Sequence, residues 1–265
     1  MKNYIVVLIL VVFLVAVATW AYQWQVSNSL PEQTAEQIKA EPSAQDIAQV
    51  QTTIRDFMAD QKLEIKYITT QPNPSNFTVG KTTQLGDGGG RIDTPEEWKR
   101  PVYVFQQVQY INERCEVYEY EMDARTLQIV DIHVRYPDEI QNLLASSEGL
   151  NAAKCASYGS MEIPLKPHNY IEQTAFAYLS RDPNITKQLL QSKSQFNYIS
   201  SKPGAANPSA NEWIWQDTSY KLPEGLTGDV YNYPTIRIII SSGGKLIHYF
   251  NSIGLFEGQM DLLNS

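Results

Sequence analysis

The chain is poor in the residues that build metal centres and nucleophilic sites. It has 2 cysteines and 3 histidines among 265 residues. The histidines, His133, His168 and His248, are far apart, and neither a C-x-x-C nor an H-E-x-x-H spacing occurs. No stretch matches a strong catalytic or cofactor motif. The sequence therefore predicts no metal, no cofactor, no catalytic residue and no enzymatic activity.

Basic residues are also scarce. There are 21 Lys and Arg against 29 Asp and Glu, which gives a net charge of −8. Nucleic acids and anionic headgroups are bound by clustered Lys or Arg. This composition therefore argues against nucleic-acid binding, and ordinary solubility is the simplest explanation of the acidity.

Long apolar runs are missing except for one, at residues 4–22. Its 19 residues carry no charge, and as a helix they would span roughly 28 Å, close to a hydrocarbon core of about 30 Å. Because Lys2 precedes the run and the next basic residue is Lys39, the positive-inside bias predicts a cytoplasmic N-terminus and an extracytoplasmic remainder. A cleaved signal peptide is the alternative, although the run exceeds a signal core of about 7–15 residues. We expect a single-pass protein of the cell membrane with its anchor at residues 1–24.

The two cysteines would face an oxidising compartment in that topology. A disulfide between Cys115 and Cys155 is the favoured prediction. Two buried free thiols are the second reading, and a catalytic cysteine is the third because no His–carboxylate context is present. The same topology gives meaning to two N-glycosylation patterns, at Asn76 and Asn184, which we expect in exposed loops.

Helix and strand patterns divide the rest of the chain. After a stalk at 25–43, apolar residues recur at spacings of three and four and predict an amphipathic helix at about 44–61. Alternating residues then predict a strand near 62–70 and three more between 101 and 136, separated by a loop-like excursion rich in Pro, Asn and Gly. This gives a first module at 44–136.

A connector at 137–167 precedes a second module at 168–265. Its helix, at about 168–181, is followed by strands, and the last two form a hairpin across Gly243-Gly244. Both modules have the same order of elements, which indicates a tandem repeat of pattern. The predicted fold class is α+β: an N-terminal transmembrane helix and two helix-on-antiparallel-sheet modules of a cystatin-like kind.

A family resemblance lies in the hairpins. The runs Val117–Asp123 and Leu127–Asp131 resemble the strand–turn–strand ending of PepSY-type domains. The runs Ile236–Ile240 and Leu246–Phe250, joined by Gly243-Gly244-Lys245, resemble a second one. The resemblance implies a helix packed on an antiparallel sheet in exported or membrane-anchored proteins, and no catalytic residues. The first copy departs from the family by having Asp123-Ala124-Arg125-Thr126 where a glycine turn is expected.

Several weaker patterns favour ordinary explanations. The glycines at 86–90 fit neither a dinucleotide fingerprint nor a P-loop and indicate a loop. The acids Asp87, Asp93, Glu96 and Glu97 lack the spacing of a calcium loop. Acids alternate along the predicted strands, as in the pairs Glu119/Glu121 and Asp123/Asp131. We interpret them as a solvated face of the sheet rather than as the catalytic acids of a glycosidase.

Three tryptophans are the candidate binding aromatics. Trp213 and Trp215 are two residues apart on a predicted strand and share a face. They would either bury against the helix, which we favour, or form an exposed platform for a peptide or sugar. Trp98 is the third candidate.

The sequence thus predicts a membrane-anchored, extracytoplasmic binding or regulatory protein without catalytic activity. Its expected partner is an envelope protein, a membrane protein or a peptide, and residues 4–22 would contact the membrane. The alternatives are a structural accessory subunit of a membrane protein assembly and, third, a hydrolase.

Overall fold

Three α-helices and eleven strands make up the described part of the chain. The computed structural model describes residues 41–84, 90–107, 117–135, 165–201, 210–228 and 233–256. In chain order the elements are α1 (Ala44–Met58), β1 (Ile65–Gln71), β2 (Val79–Gln84), β3 (Gly90–Asp93), β4 (Val102–Gln107), β5 (Val117–Asp123), β6 (Ile129–Arg135), α2 (His168–Leu179), α3 (Lys187–Gln191), β7 (Asn197–Ser201), β8 (Ala210–Gln216), β9 (Thr227–Gly228), β10 (Thr235–Ser241) and β11 (Leu246–Asn251).

Helix α1 begins and ends at residues whose chemistry sets those limits. The Ser43 hydroxyl accepts from the Asp46 amide, and the Asp46 carboxylate accepts from the Ser43 amide at 2.9 Å, which forms a capping box. The helix ends at Ala59, whose φ of 54° is left-handed. It buries one face through Val50, Ile54 and Phe57.

The main sheet contains eight of the described strands in the order β1-β4-β5-β6-β11-β10-β8-β7. All its neighbouring strands pair antiparallel. Strands β1, β4, β5 and β6 come from the first half of the chain. Strands β7, β8, β10 and β11 come from the second half. The two halves meet where β6 pairs with β11, with His133 opposite His248. Strands β2, β3 and β9 form a separate small sheet.

This topology corrects the predicted fold class. The two predicted helix-on-sheet modules are not separate, because both halves contribute to one continuous sheet and the described residues belong to one compact unit. The pairing of β6 with β11 completes the backbone hydrogen bonds of two strands that would otherwise be edges.

The sheet has a different cover on each face. Helices α1 and α2 pack on one face around Phe105, Tyr120, Ile132, Ile238 and Tyr249. On the other face a smaller apolar cluster joins Phe77, Trp98, Val104, Phe250 and Phe256. The segment 72–79, which the sequence predicts as part of a loop, therefore contributes buried residues to a second core.

The membrane prediction is also corrected. Among the residues described, α1 is the longest helix at 15 residues, and no helix combines the length and apolar character needed to cross a bilayer. This contradicts the predicted single-pass localisation; the predicted span at 4–22 lies outside the described residues.

The predicted disulfide is not found. The described residues contain no cysteine and no disulfide, and both Cys115 and Cys155 lie outside them.

Candidate functional site

A cluster of charged side chains lies on the sheet face opposite the helices, at the β6–β11 junction. Asp131 on β6 is fully buried and occupies its centre. Its Oδ1 lies 2.7 Å from Nδ1 of His133, and its Oδ2 lies 3.0 Å from Nε2 of His248. The Asn76 side-chain amide, from the covering segment 72–79, donates to Oδ2 at 2.7 Å. One carboxylate thus connects β6, β11 and the segment that covers the sheet.

Two further carboxylates on β5 extend the cluster. Glu119 is 3% exposed and accepts from Nη1 of Arg135 at 2.7 Å, while His133 Nε2 lies 3.4 Å away. Glu121 is fully buried and accepts from the Ser75 amide at 2.9 Å and from the Ser75 hydroxyl.

These contacts shift the pKa values of Asp131 and His133 in opposite directions, and each shift favours the charged form. Burial opposes ionisation of Asp131, but hydrogen bonds with His133 and His248 outweigh it and lower the pKa of Asp131 to about 2. Burial likewise disfavours the charged form of His133, yet its hydrogen bonds to Asp131 and Glu119 raise the pKa of His133 to about 10. His133 is therefore a half-buried cation held between two carboxylates.

Glu121 behaves differently from its neighbours. Burial and the nearby charge of Asp131 raise the pKa of Glu121 to about 7, against the lowering effect of the hydrogen bonds from Ser75. A pKa near neutrality suits a general acid. Glu121 has no exposed surface, however, so a substrate cannot reach it in this conformation.

The burial of these acids corrects the predicted solvated face. Glu119, Glu121, Asp123 and Asp131 are at most 3% exposed. The excursion that the sequence predicts as a loop supplies Ser75, which bonds Glu121, and Asn76, which bonds Asp131. Within the described ranges, no group of three or more His, Cys, Asp or Glu side chains has the arrangement of a metal site.

The two edges of the main sheet differ in how they are protected. Strand β1 contains Lys66 and a register shift between Tyr67 and Thr69, so that Ile68 has no partner on β4. Such bulges and charges blunt an edge. Strand β7 pairs with β8 without interruption from Asn197 to Ser201, and its sequence, Asn-Tyr-Ile-Ser-Ser, has no charge and no proline.

The outer edge of β7 has no strand beside it in the described part of the chain. Tyr198 and Ile199 are 41% and 43% exposed. They point to opposite faces of the sheet, because Tyr198 lies opposite Trp213 and Ile199 opposite Glu212. The edge therefore presents backbone hydrogen-bonding groups with one large apolar side chain exposed on each face.

Three rings stand together on the helix side of this edge. His168, the first residue of α2, lies 4.8 Å from Tyr198 and 6.1 Å from Trp213 between ring centroids. Tyr198 and Trp213 are 5.1 Å apart, and the Tyr198 hydroxyl donates to Oδ1 of Asn211 at 2.8 Å. Trp213 is buried, whereas His168 and Tyr198 are exposed. The three rings therefore form a partly exposed aromatic surface that packs on Trp213.

The three candidate tryptophans lie in different surroundings. Trp213 is 3% exposed and Trp215 is half-buried against the helix-side core. Trp98 is 3% exposed in the second cluster, with the Arg100 guanidinium 5.1 Å from its ring centroid. These positions correspond to core packing rather than to an exposed platform.

The two glycosylation patterns have unequal surroundings. Asn76 is half-buried and its side-chain amide is bonded to Asp131. Asn184 is half-buried after α2, and its backbone amide donates to Asp182. Neither asparagine is in a fully exposed loop, and their modification stays a prediction.

Sequence reasoning missed Tyr198 and Ile199 as functional candidates. Their strand is predictable from the pattern at 194–200, and its lack of charge is visible in the sequence. Their position at the sheet edge depends on which strands pair, and no local pattern gives that.

In comparisons with known proteins, no family model, no curated protein and no solved structure matches the chain. The PepSY resemblance therefore stays a prediction.

Proposed function

We propose that the protein is a non-catalytic binding protein that takes up an extended segment of a partner polypeptide on the outer edge of β7. The observation that carries this proposal is the contrast between the two sheet edges. Strand β1 has a bulge and a lysine, whereas β7 is regular and uncharged and exposes one large apolar side chain on each face, Tyr198 and Ile199. Exposed edges of that kind either aggregate or receive a strand.

The chemistry of the edge defines its ligand. Backbone amides and carbonyls along the strand would bind any extended chain, and the side chains beside them would select the sequence. The ring of Tyr198, supported by Trp213 and His168, suits an apolar or aromatic side chain on the helix side. Ile199 and Glu212 flank the other side.

The length of the edge favours a short peptide over a second copy of the chain. Five residues span roughly 17 Å. Stable protein–protein interfaces bury more than about 1,000 Å², which one such strand pair does not supply. A single extended segment that adds one strand fits this dimension.

The buried charged cluster does not compete with this function. Its charged groups bond one another or the covering segment, and Glu121 is inaccessible. Its role is to join the two halves of the sheet that present β7.

A matched pair of substitutions tests the proposal. Ile199→Lys places a charge on the β7 edge, and Ile68→Lys places one on the β1 edge at nearly equal exposure, 43% and 44%. Peptides are selected from a displayed seven-residue library on the full chain, with the Ile199→Lys variant as counter-selection, and affinities are measured by calorimetry. We expect binding to the wild type and to Ile68→Lys, and at least about tenfold weaker binding to Ile199→Lys, equivalent to 1.4 kcal/mol.

Three results would overturn the proposal. The first is selected peptides that bind both variants equally, and the second is no enrichment at all. The third is a stable wild-type dimer that the Ile199→Lys substitution dissociates, because a second copy would then occupy the edge.

A further inference from the structure

A cleft of about 140 Å³ lies between α1, the turn before β6 and the turn after α2. Gln49, Thr53 and Phe57 line it from α1 at intervals of four residues, and therefore lie on one face of the helix. Gln128 and Asn184 line it from the two turns. The cleft is separate from the β7 edge and from the charged cluster.

Arg181 supplies the positive charge of this cleft. Its Nη1 donates to the Phe57 carbonyl at 3.1 Å, and its guanidinium lies 5.1 Å from the ring centroid of Tyr178. These two contacts hold the guanidinium in place. No carboxylate forms a salt bridge with it in the described part of the chain, and its remaining N–H groups are available to a ligand.

Asp182 also lines the cleft, but among the described contacts its carboxylate forms no salt bridge with Arg181. It is 3% exposed and accepts from the Tyr249 hydroxyl, from the Asn251 side-chain amide at 2.9 Å and from the Asn184 backbone amide at 2.8 Å. Asp182 is therefore engaged in the core, and Arg181 is the charged group left to a ligand.

Three side-chain amides line the same cleft as the guanidinium. They belong to Gln49, Gln128 and Asn184; among the described residues, the Gln49 backbone carbonyl and the Asn184 backbone amide are hydrogen-bonded, but the three side-chain amides are not. Each can donate two hydrogen bonds. The ring of Phe57 and the side chain of Ile129 provide an apolar wall.

We propose that this cleft binds a small carboxylate with a short apolar body. A guanidinium without a counter-ion beside amide donors matches a carboxylate, which accepts charge-assisted hydrogen bonds. The size matches as well, because an engineered cavity of about 150 Å³ holds benzene. The carboxylate is that of a free small acid or that of the C-terminal residue of a peptide.

Titration of the full chain with benzoate, followed by NMR chemical shifts of backbone and side-chain amides, tests the inference. Benzamide is the uncharged probe of the same shape. We expect saturable shifts at Gln49, Gln128 and Asn184 with benzoate, and at least about tenfold weaker binding of benzamide. Two short peptides ending in Phe, one with a free carboxyl and one amidated, distinguish the two sources: tighter binding of the free peptide than of benzoate assigns the C-terminal residue, and the reverse assigns the free acid.

Three variants make the outcome decisive. Arg181→Gln should weaken benzoate binding at least about tenfold. Gln49→Ala, which removes an exposed side chain that bonds none of the described residues, should weaken it with no loss of folding. Lys193→Gln removes an exposed cation near Glu172 and should leave it unchanged. Equal binding of benzamide, no saturation with benzoate, or equal losses in Arg181→Gln and Lys193→Gln would overturn the proposal.

Discussion

The carboxylate of Asp131 on β6 lies 3.0 Å from Nε2 of His248 on β11, across the strand pair that joins the two halves of the sheet. The same carboxylate bonds His133 and the covering residue Asn76. A fully buried charge with three partners on three segments is costly to leave unpaired. We expect the pairing of β6 with β11 in the eight-stranded sheet to depend on the Asp131 carboxylate.

Replacing Asp131 by Asn should destabilise the fold by about 3 kcal/mol, because the pair between this fully buried carboxylate and the half-buried cation of His133 would be lost. Chemical denaturation followed by tryptophan fluorescence measures the free energy of unfolding. Glu96→Gln is the control: its pair with Lys99 has side chains 72% and 37% exposed, and its loss should cost less than about 1 kcal/mol. Equal effects of the two substitutions would show that Asp131 does not hold the junction.

Stability should fall as the pH rises through neutrality because of Glu121. Its pKa is raised to about 7 in the folded chain, against 4.5 for the ordinary side chain. A raised pKa gives a contribution that is complete below about pH 4.5 and lost as the pH passes 7. We expect wild type to lose on the order of 2–3 kcal/mol over this window relative to Glu121→Gln. Parallel curves of unfolding free energy against pH for the two proteins would rule this out.

His133 adds a second change at higher pH. Its folded pKa of about 10 lies above its ordinary value of 6.5, so its contribution is complete below about pH 6.5 and lost as the pH approaches 10. Asp131 has the opposite sign, because its pKa is lowered from 3.8 to about 2, and its contribution is lost as the pH falls through that range. Thermal melts of Glu121→Gln should therefore still show a decline above pH 6.5. A variant that stays equally stable up to pH 10 would contradict a charged His133 paired with Asp131.

Leu127 has a left-handed backbone conformation, which glycine adopts more easily than leucine does. Its φ is 57° in the turn before β6, a region that L-residues with a Cβ enter at a cost of roughly 1–2 kcal/mol. Leu127→Gly should therefore be more stable than Leu127→Ala by about 1 kcal/mol, since both remove the side chain and only glycine removes the strain. The same exchange at exposed Thr52 within α1 should have the opposite sign, because glycine is about 1 kcal/mol worse than alanine in a helix. The same order of stability at both positions would contradict this explanation.

Local patterns predict much of the secondary structure and little of the sheet. Helix α1 and the β10–β11 hairpin follow from apolar spacing and from Gly243-Gly244, and the structure contains both. The pairing of β6 with β11 joins residues more than a hundred positions apart, and neither strand carries a local signal for it. The prediction of two separate modules is wrong because local patterns do not show that β6 of one half pairs with β11 of the other.

The same limit applies to the sites. Asp131 alternates with apolar residues as a solvated residue would, yet it is buried and bonded by Asn76 from the covering segment and by His133 and His248. The excursion at 71–98 is predicted as a loop because its glycines and prolines obscure β2 and β3, which form part of a second sheet. The openness of β7 is likewise a property of strand order.

Amide hydrogen exchange of the full chain, with and without a selected peptide, tests the central claim most directly. If the peptide adds a strand to β7, amides within 197–201 should become protected, while those of β1 at 65–71 should exchange as before. The protection should be absent in Ile199→Lys and present in Ile68→Lys. Protection at β1, or binding without any change at 197–201, would contradict the account.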